Sequence, residues 1–185
     1  MSENIFFDTS RLKYRGENVI IGKTARIRFP ELVELHDNTI VDDFTFISTG
    51  LILKEHSAIE SGCVLMGGRV NTITVGPYSC ICSNSTLMCG THDFKTGLHL
   101  CHHNGIVEQG LVWDDITIGA HVILGTKSTV LPGCDINEGS RIGAHSLVNK
   151  RLASWTLYGG TPCKEIGKVD RDTVLKYLED FKNNH

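Results

Sequence analysis

The sequence predicts an all-β chain wound as a parallel β-helix. Three observations carry that prediction. Aliphatic residues return every six positions, a small residue returns four positions after most of them, and glycine often follows the aliphatic residue directly. A period of six matches neither the 3.6 of a helix nor the 2.0 of an ordinary strand. Hexapeptide periodicity is the signature of a β-helix in which each hexad supplies one short strand and one turn.

The aliphatic series runs through Leu35, Val41, Ile47, Leu53, Ile59 and Leu65, resumes at Val75, Ile81 and Leu87, and resumes again at Ile118, Leu124, Val130, Ile136, Ile142 and Val148. Ile, Leu and Val together make up 47 of the 185 residues, so an unbroken choice among them at these positions is not chance. Four positions on stand Thr39, Thr45, Ser57, Cys63, Ser79, Ser85, Thr91, Val122, Ser128, Cys134, Ser140 and Ser146, with Leu51 and Arg69 among the exceptions. Glycine follows in Val75-Gly76, Ile118-Gly119, Leu124-Gly125 and Ile142-Gly143, and a weaker early copy begins at Ile21-Gly22. The aliphatic residues are expected to fill a narrow core and the small ones to sit at corners. Three hexads make a triangular coil, and coils stack at the strand spacing of about 4.8 Å. A β-sandwich of short strands is the other reading of such a pattern, but sandwiches do not hold a sixfold register.

The series breaks twice. Met66–Thr72 interrupts it locally, and residues 88–117 form an inserted loop of a length that is usually functional or disordered. Past the coils, which extend to residue 168, residues 169–185 predict a short C-terminal α-helix. Asp170 or Asp172 caps it, and Val174, Leu178 and Phe181 form one apolar stripe.

Composition sets limits on function. Hydrophobic residues are 41 % and charged residues 21 %, which excludes wholesale disorder. A net charge of −3 gives no bulk electrostatic case for nucleic acid. No stretch approaches the roughly 20 apolar residues of a membrane span, and no targeting segment is expected. Seven cysteines without a CxxC pair suit a reduced, cytoplasmic protein better than a disulfide framework.

The block from Ile118 to Lys150 contains the triplets Ile118-Gly-Ala120, Leu124-Gly-Thr126 and Ile142-Gly-Ala144. It resembles the hexapeptide-repeat acyltransferases, in the branch of galactoside, maltose and capsule-sugar O-acetyltransferases. Tyr158-Gly-Gly-Thr-Pro-Cys-Lys164 resembles that branch's closing segment. The resemblance spans roughly residues 20–168. It implies that the β-helix is left-handed, that the protein is a homotrimer with active sites at subunit interfaces, and that acetyl-CoA donates an acyl group to a carbohydrate acceptor.

The resemblance also places residues. His92, in Gly90-Thr-His-Asp-Phe94, stands where the branch has its catalytic histidine. An imidazole with an ordinary pKa near 6.5 suits removal of a proton from an attacking hydroxyl. Asp93 either orients His92 or serves a turn. Asn84 falls where the family often has an asparagine, and either faces substrate or stacks at a corner. Thr126 and Ala144 match backbone positions that contact the pantetheine arm, and Asn149 and Lys150 match a Thr-Lys pair near the adenosine phosphates. Asn149 departs from that pattern by losing the hydroxyl. The family's earlier substrate-orienting residue has no counterpart within Glu60–Met66.

The donor's phosphates find some support in charge. Residues 141–185 carry eight Lys or Arg against five Asp or Glu, a basic tail on an otherwise acidic chain that includes Lys150, Arg151, Lys164 and Lys168. Pro132-Gly133 reads as a rigid corner. Trp113 packs at a subunit seam or caps the inserted loop. Cys63 and Cys134 read as compact corner fillers.

Rival chemistries remain at this level. N-acylation of a nucleotide-linked amino sugar needs much the same residues. Cys89 lies close to His92 in sequence, but a thioester donor is already activated and needs no acyl-cysteine relay. His99, Cys101, His102 and His103 have metal-ligand chemistry, yet they do not match the histidine pattern of the carbonic-anhydrase-type β-helix enzymes. No metal is expected. A non-catalytic scaffold is the remaining class.

Overall fold

The computed structural model describes residues 4–95, 101–102, 105–106 and 110–184. Short parallel strands line up as three faces of a prism. The first face holds Tyr14–Arg15, Val33–Leu35, Gly50–Leu53, Thr72–Val75, Ile116–Ile118 and Asp135–Ile136. The second holds Ile20–Ile21, Ile40–Val41, Ala58–Ile59, Cys80–Ile81, Ile123–Leu124, Arg141–Ile142 and Thr156–Gly159. The third holds Arg26–Ile27, Phe46–Ser48, Val64–Met66, Thr86–Met88, Thr129–Val130 and Leu147–Val148. The chain visits the faces in turn, making six coils and a partial seventh.

All fifteen aliphatic positions of the sixfold series point inward and are at most 3 % exposed. The register is strict. Leu35, Leu53, Val75, Ile118 and Ile136 pair in succession, so each lies directly on the last, at chain intervals of 18, 22, 43 and 18 residues. Two coils are therefore three plain hexads, and the longer ones absorb the two breaks. Leu51, an exception to the small-residue rule, is also fully buried, because Gly50–Leu53 turns both Leu51 and Leu53 inward against Ile73 and Val75. Arg69 sits in the first break and pairs with Glu31 at 2.7 Å.

The small residues solve the problem of the corners. Ser79 Oγ donates to the Gly119 carbonyl at 2.9 Å and accepts the Val122 N–H at 2.9 Å. Ser57 Oγ donates to Gly76 O at 2.8 Å, and Ser128 Oγ to Gly143 O at 3.2 Å. Each hydroxyl thus satisfies backbone of the next coil that would otherwise be buried without a partner. The glycine after the aliphatic residue has a steric cause. A Cβ on Gly76 would stand 2.5 Å from the Gly119 carbonyl carbon, and one on Gly125 2.6 Å from the Ala144 nitrogen.

The inserted segment is not a plain loop. Gly90–His92 pairs antiparallel with Leu111–Trp113, and Cys101–His102 with Gly105–Ile106, so a β-arm leaves the third face after Met88 and returns to the first at Ile116. Thr91, expected at a coil corner, belongs to this arm. Asp115 joins the two breaks: its Oδ1 accepts from Asn71 Nδ2 and from Thr72 N, both at 2.9 Å.

The ends of the prism are covered. Asn4 Nδ2 donates to Gly22 O and Ala25 O beneath the first coil. At the other end Lys164–Lys168 pairs antiparallel with Thr156–Gly159. Helix α1, Arg171–Asn184, starts at Asp170, whose carboxylate accepts from Thr173 N and Thr173 Oγ1. The helix lies against its own coils. Phe181 meets the His56 ring edge-on at 5.6 Å, and His56, Tyr78, His121 and Trp155 stack along one corner at 5.0, 5.2 and 6.2 Å. Burial within this stack lowers the pKa of His121.

Replacing Ser79 by Ala strips two buried backbone groups of their partner. It should destabilise the protein by about 1–3 kcal/mol, read as a lower urea midpoint. Thr117→Ala, on the outward side of the first face, should stay within about 0.5 kcal/mol of the parent. Equal midpoints for the two variants would contradict the corner role of the serine.

Candidate active site

The residues singled out by sequence fall on two corners. Between the second and third faces, equivalent turns of successive coils stack one above another. Asn84, Lys127 and His145 occupy the same turn position with φ of 60°, 58° and 57°. Their N–H groups donate to Ser61 O, Ser83 O and Thr126 O at 2.9–3.0 Å. Asparagine and histidine tolerate left-handed backbone better than most side chains and lysine does not; at all three positions the coil-to-coil hydrogen bonds hold it. Asn84 is exposed, and its Oδ1 would lie 2.6 Å from a Cβ on Gly62, so the amide covers that glycine.

Thr126 and Ala144 immediately precede two of these turns, half-buried and exposed respectively. The column continues into the closing segment, where Thr161 Oγ1 donates to His145 O at 3.0 Å and Leu147 N to Gly160 O at 3.0 Å. The result is a stepped edge of small side chains and glycines along which an extended, amide-rich ligand can approach backbone.

The other corner lies between the third and first faces. The β-arm leaves the body there. Two coils further on, in the same column, stand Asn149 and Lys150, both exposed. Arg151 beside them is paired with Asp135 at 2.5 Å. His92 is exposed at the end of the arm strand Gly90–His92, opposite Leu111. Asp93 N donates to Gly110 O, and Asp93 Oδ1 accepts from Lys95 N at 2.9 Å, which is a turn-forming contact.

The arm is rigid at its root. Trp113 lies flat on Gly90: a Cβ there would come within 2.2 Å of the indole. Asp114 N donates to Cys89 O at 2.9 Å. Cys89 is fully buried, and desolvation pushes its thiol up to about 12. A neutral, inaccessible thiol is a poor nucleophile, which argues against an acyl-cysteine relay. Of the His99/Cys101/His102/His103 cluster, His99 and His103 lie outside the described residues, as do the side chains of Cys101 and His102.

One chain therefore separates its candidates. Asn149, Lys150 and the root of the arm that carries His92 share one corner; Asn84, Thr126 and Ala144 share the neighbouring one. Two features escaped sequence reading. The ring stack His56–Tyr78–His121–Trp155 is spread over coils of unequal length. Glu60, Cys80 and Cys82 converge on the second face, though their signal was present, since a C-x-C pair on a strand points both side chains the same way.

Comparison with known proteins agrees with this architecture. The family model described as bacterial transferase hexapeptide (six repeats) matches residues 115–150. The galactoside O-acetyltransferase of Escherichia coli is 32 % identical over 176 residues, covering 90 % of this chain and 86 % of the relative. The chain belongs to the hexapeptide-repeat acyltransferase family. Another family member, the dTDP-4-amino-4,6-dideoxy-D-glucose acyltransferase of Escherichia coli, is 28 % identical over 172 residues, covering 89 % of this chain and 85 % of its own. The crystal structure of a single-site serine-to-cysteine mutant of AntD, an N-acyltransferase from Bacillus cereus, in complex with dTDP-4-amino-4,6-dideoxyglucose and coenzyme A, superposes with a TM-score of 0.87. It is 28 % identical, and the match covers 98 % of this chain and all of that one.

Gly90→Ala should force the Trp113 indole off the arm while leaving the coils intact. The expected readout is faster proteolysis within residues 90–113 and a changed tryptophan fluorescence, with an unchanged far-UV spectrum. A parent-like digestion pattern would show that the contact does not hold the arm.

Proposed function

We propose that this protein transfers an acetyl group from acetyl-CoA to a hydroxyl of a sugar or sugar-containing acceptor. The observation that carries the reading is the stepped edge at Thr126 and Ala144, combined with the family to which the chain belongs. His92 is the proposed general base. Its imidazole takes the proton as the acceptor oxygen attacks the thioester carbonyl. The new C–O bond forms, a backbone N–H stabilises the tetrahedral oxyanion, and the C–S bond then breaks. The coenzyme A thiolate leaves and recovers a proton.

The separation of the two corners supports a site built from two subunits, with the arm and His92 of one facing the Thr126–Ala144 edge of another. A homotrimer of prisms gives three such seams. Holding both substrates in one seam converts a bimolecular encounter into an effectively unimolecular step. Lys150, an exposed cation without an ion-pair partner among the described residues, is proposed to meet the donor's phosphates. Asn84 and Asp93 are proposed to face the acceptor, and Asn149 to stand beside Lys150 on the donor side.

A second reading has its own support. AntD and the dTDP-amino-sugar relative act on or bind a nucleotide-linked amino sugar. On that reading the attacking atom is an amine nitrogen, and the same imidazole removes its proton. An acyl-CoA consumption screen against free sugars, nucleotide sugars and nucleotide-linked amino sugars separates the two by which acceptor class raises turnover.

His92→Ala should lower turnover by about 10²–10⁴-fold while coenzyme A binding and the assembly state persist. Undiminished turnover would remove His92 from the mechanism. Lys150→Ala should raise the KM for acetyl-CoA and narrow the difference between coenzyme A and its 3′-dephospho form. An unchanged preference would take Lys150 away from the phosphates.

A further inference from the structure

On the outward side of the second face, next to the Asn84 turn, three side chains with metal-ligand chemistry meet. Cys80 and Cys82 follow the alternation of a strand, so both thiols leave the same side of it. Glu60 comes up from the coil below. Cys80 Sγ lies 3.4 Å from Glu60 Oε1 and 4.0 Å from Cys82 Sγ, and the three ligand atoms all fall within 4.8 Å of one another. The carboxylate is not free to wander. Its second oxygen, Oε2, accepts from Ser83 N and from Ser83 Oγ, both at 2.8 Å. All three residues are half-buried.

These distances fit a tetrahedral cation. Zinc binds thiolate sulfur at about 2.3 Å and carboxylate oxygen at about 2.0–2.2 Å, which at a tetrahedral angle sets S···S near 3.8 Å and S···O near 3.5 Å. A Cys80–Cys82 disulfide fits less well. Its S–S bond is about 2.05 Å, and the two cysteines are second neighbours on an extended strand.

We infer that Glu60, Cys80 and Cys82 form a three-ligand site for a thiophilic cation of the zinc class, with the fourth position open to water or another ligand. Binding displaces one proton from each thiol to solvent and forms two metal–sulfur bonds and one metal–oxygen bond. The ligands bind as thiolates, so protons compete with the cation and affinity rises with pH. Because Ser83 and Asn84 follow Cys82 directly, an occupied site stiffens the turn that leads to the Thr126 column. The site is independent of the acyl-transfer reading and needs no activity for its test.

The test titrates the full-length protein, kept reduced with a phosphine, with Cd²⁺ alone. The thiolate-to-cadmium absorption band should saturate at one equivalent per chain, Zn²⁺ should compete, and binding should weaken as pH falls. Cys80→Ser and Cys82→Ser should abolish the band, Glu60→Gln should weaken binding at least tenfold, and Cys101→Ser, in the arm, should leave it unchanged. Persistence of the band in a Cys80→Ser, Cys82→Ser double variant, or its loss in Cys101→Ser, would overturn the assignment. Cadmium NMR on the unmodified protein gives a readout that does not depend on variants folding. A resonance typical of two sulfur ligands supports the site, and one typical of nitrogen and oxygen ligands overturns it.

Discussion

Everything in this molecule depends on the vertical pairing of equivalent residues in successive coils. A strand of two or three residues has no stability alone. It becomes stable because its neighbours above and below satisfy its backbone while its single inward aliphatic residue rests on those of the adjacent coils. The constraint is strict: a slip of one residue would turn every aliphatic side chain outward. The corners must obey it as well, which is why buried hydroxyls at Ser57, Ser79 and Ser128 hand a hydrogen bond to the next coil. It is also why ten non-glycine residues among those described accept left-handed backbone at the turns.

The same constraint explains where variation is permitted. A coil can lengthen only where extra chain leaves the prism and returns to the same register. All three departures occur between the third and first faces, at the short turn Pro30–Leu32, at Gly67–Asn71 and at the β-arm, and Asp115 binds the last two together. The arm gains enough order from its own pairing to carry His92 away from the body in a fixed direction. The opposite solution serves the stepped edge at Thr126 and Ala144, where coils keep their minimal length and backbone stays accessible. Departure and regularity thus lie on neighbouring corners of one prism.

What could be read from sequence follows from which features share the sixfold period. Leu35, Val75 and Ile118 announce themselves because each belongs to a run of hexads, and the position of His92 at the end of such a run was equally visible. Thr91 shares the spacing by coincidence and lies in the arm. The stack of His56, Tyr78, His121 and Trp155 was illegible for a definite reason: the coils between them differ in length, so residues that touch have no common interval. The Cys-x-Cys pair was visible, but its meeting with Glu60 was hidden in the same way, by a coil that carries four residues more than three hexads.

The covered ends of the prism have a consequence for solubility. A β-helix is an open-ended stack, and an uncapped terminal coil offers unpaired N–H and C=O groups to the end of another molecule. Lys164–Lys168 runs against the direction of every strand below it, so a further parallel coil has no matching template. At the opposite end the Asn4 amide occupies carbonyls beneath the first coil. Reversal of one strand and insertion of one side chain therefore act as stoppers, and a fold built on the pairing logic of a fibre stays a discrete particle.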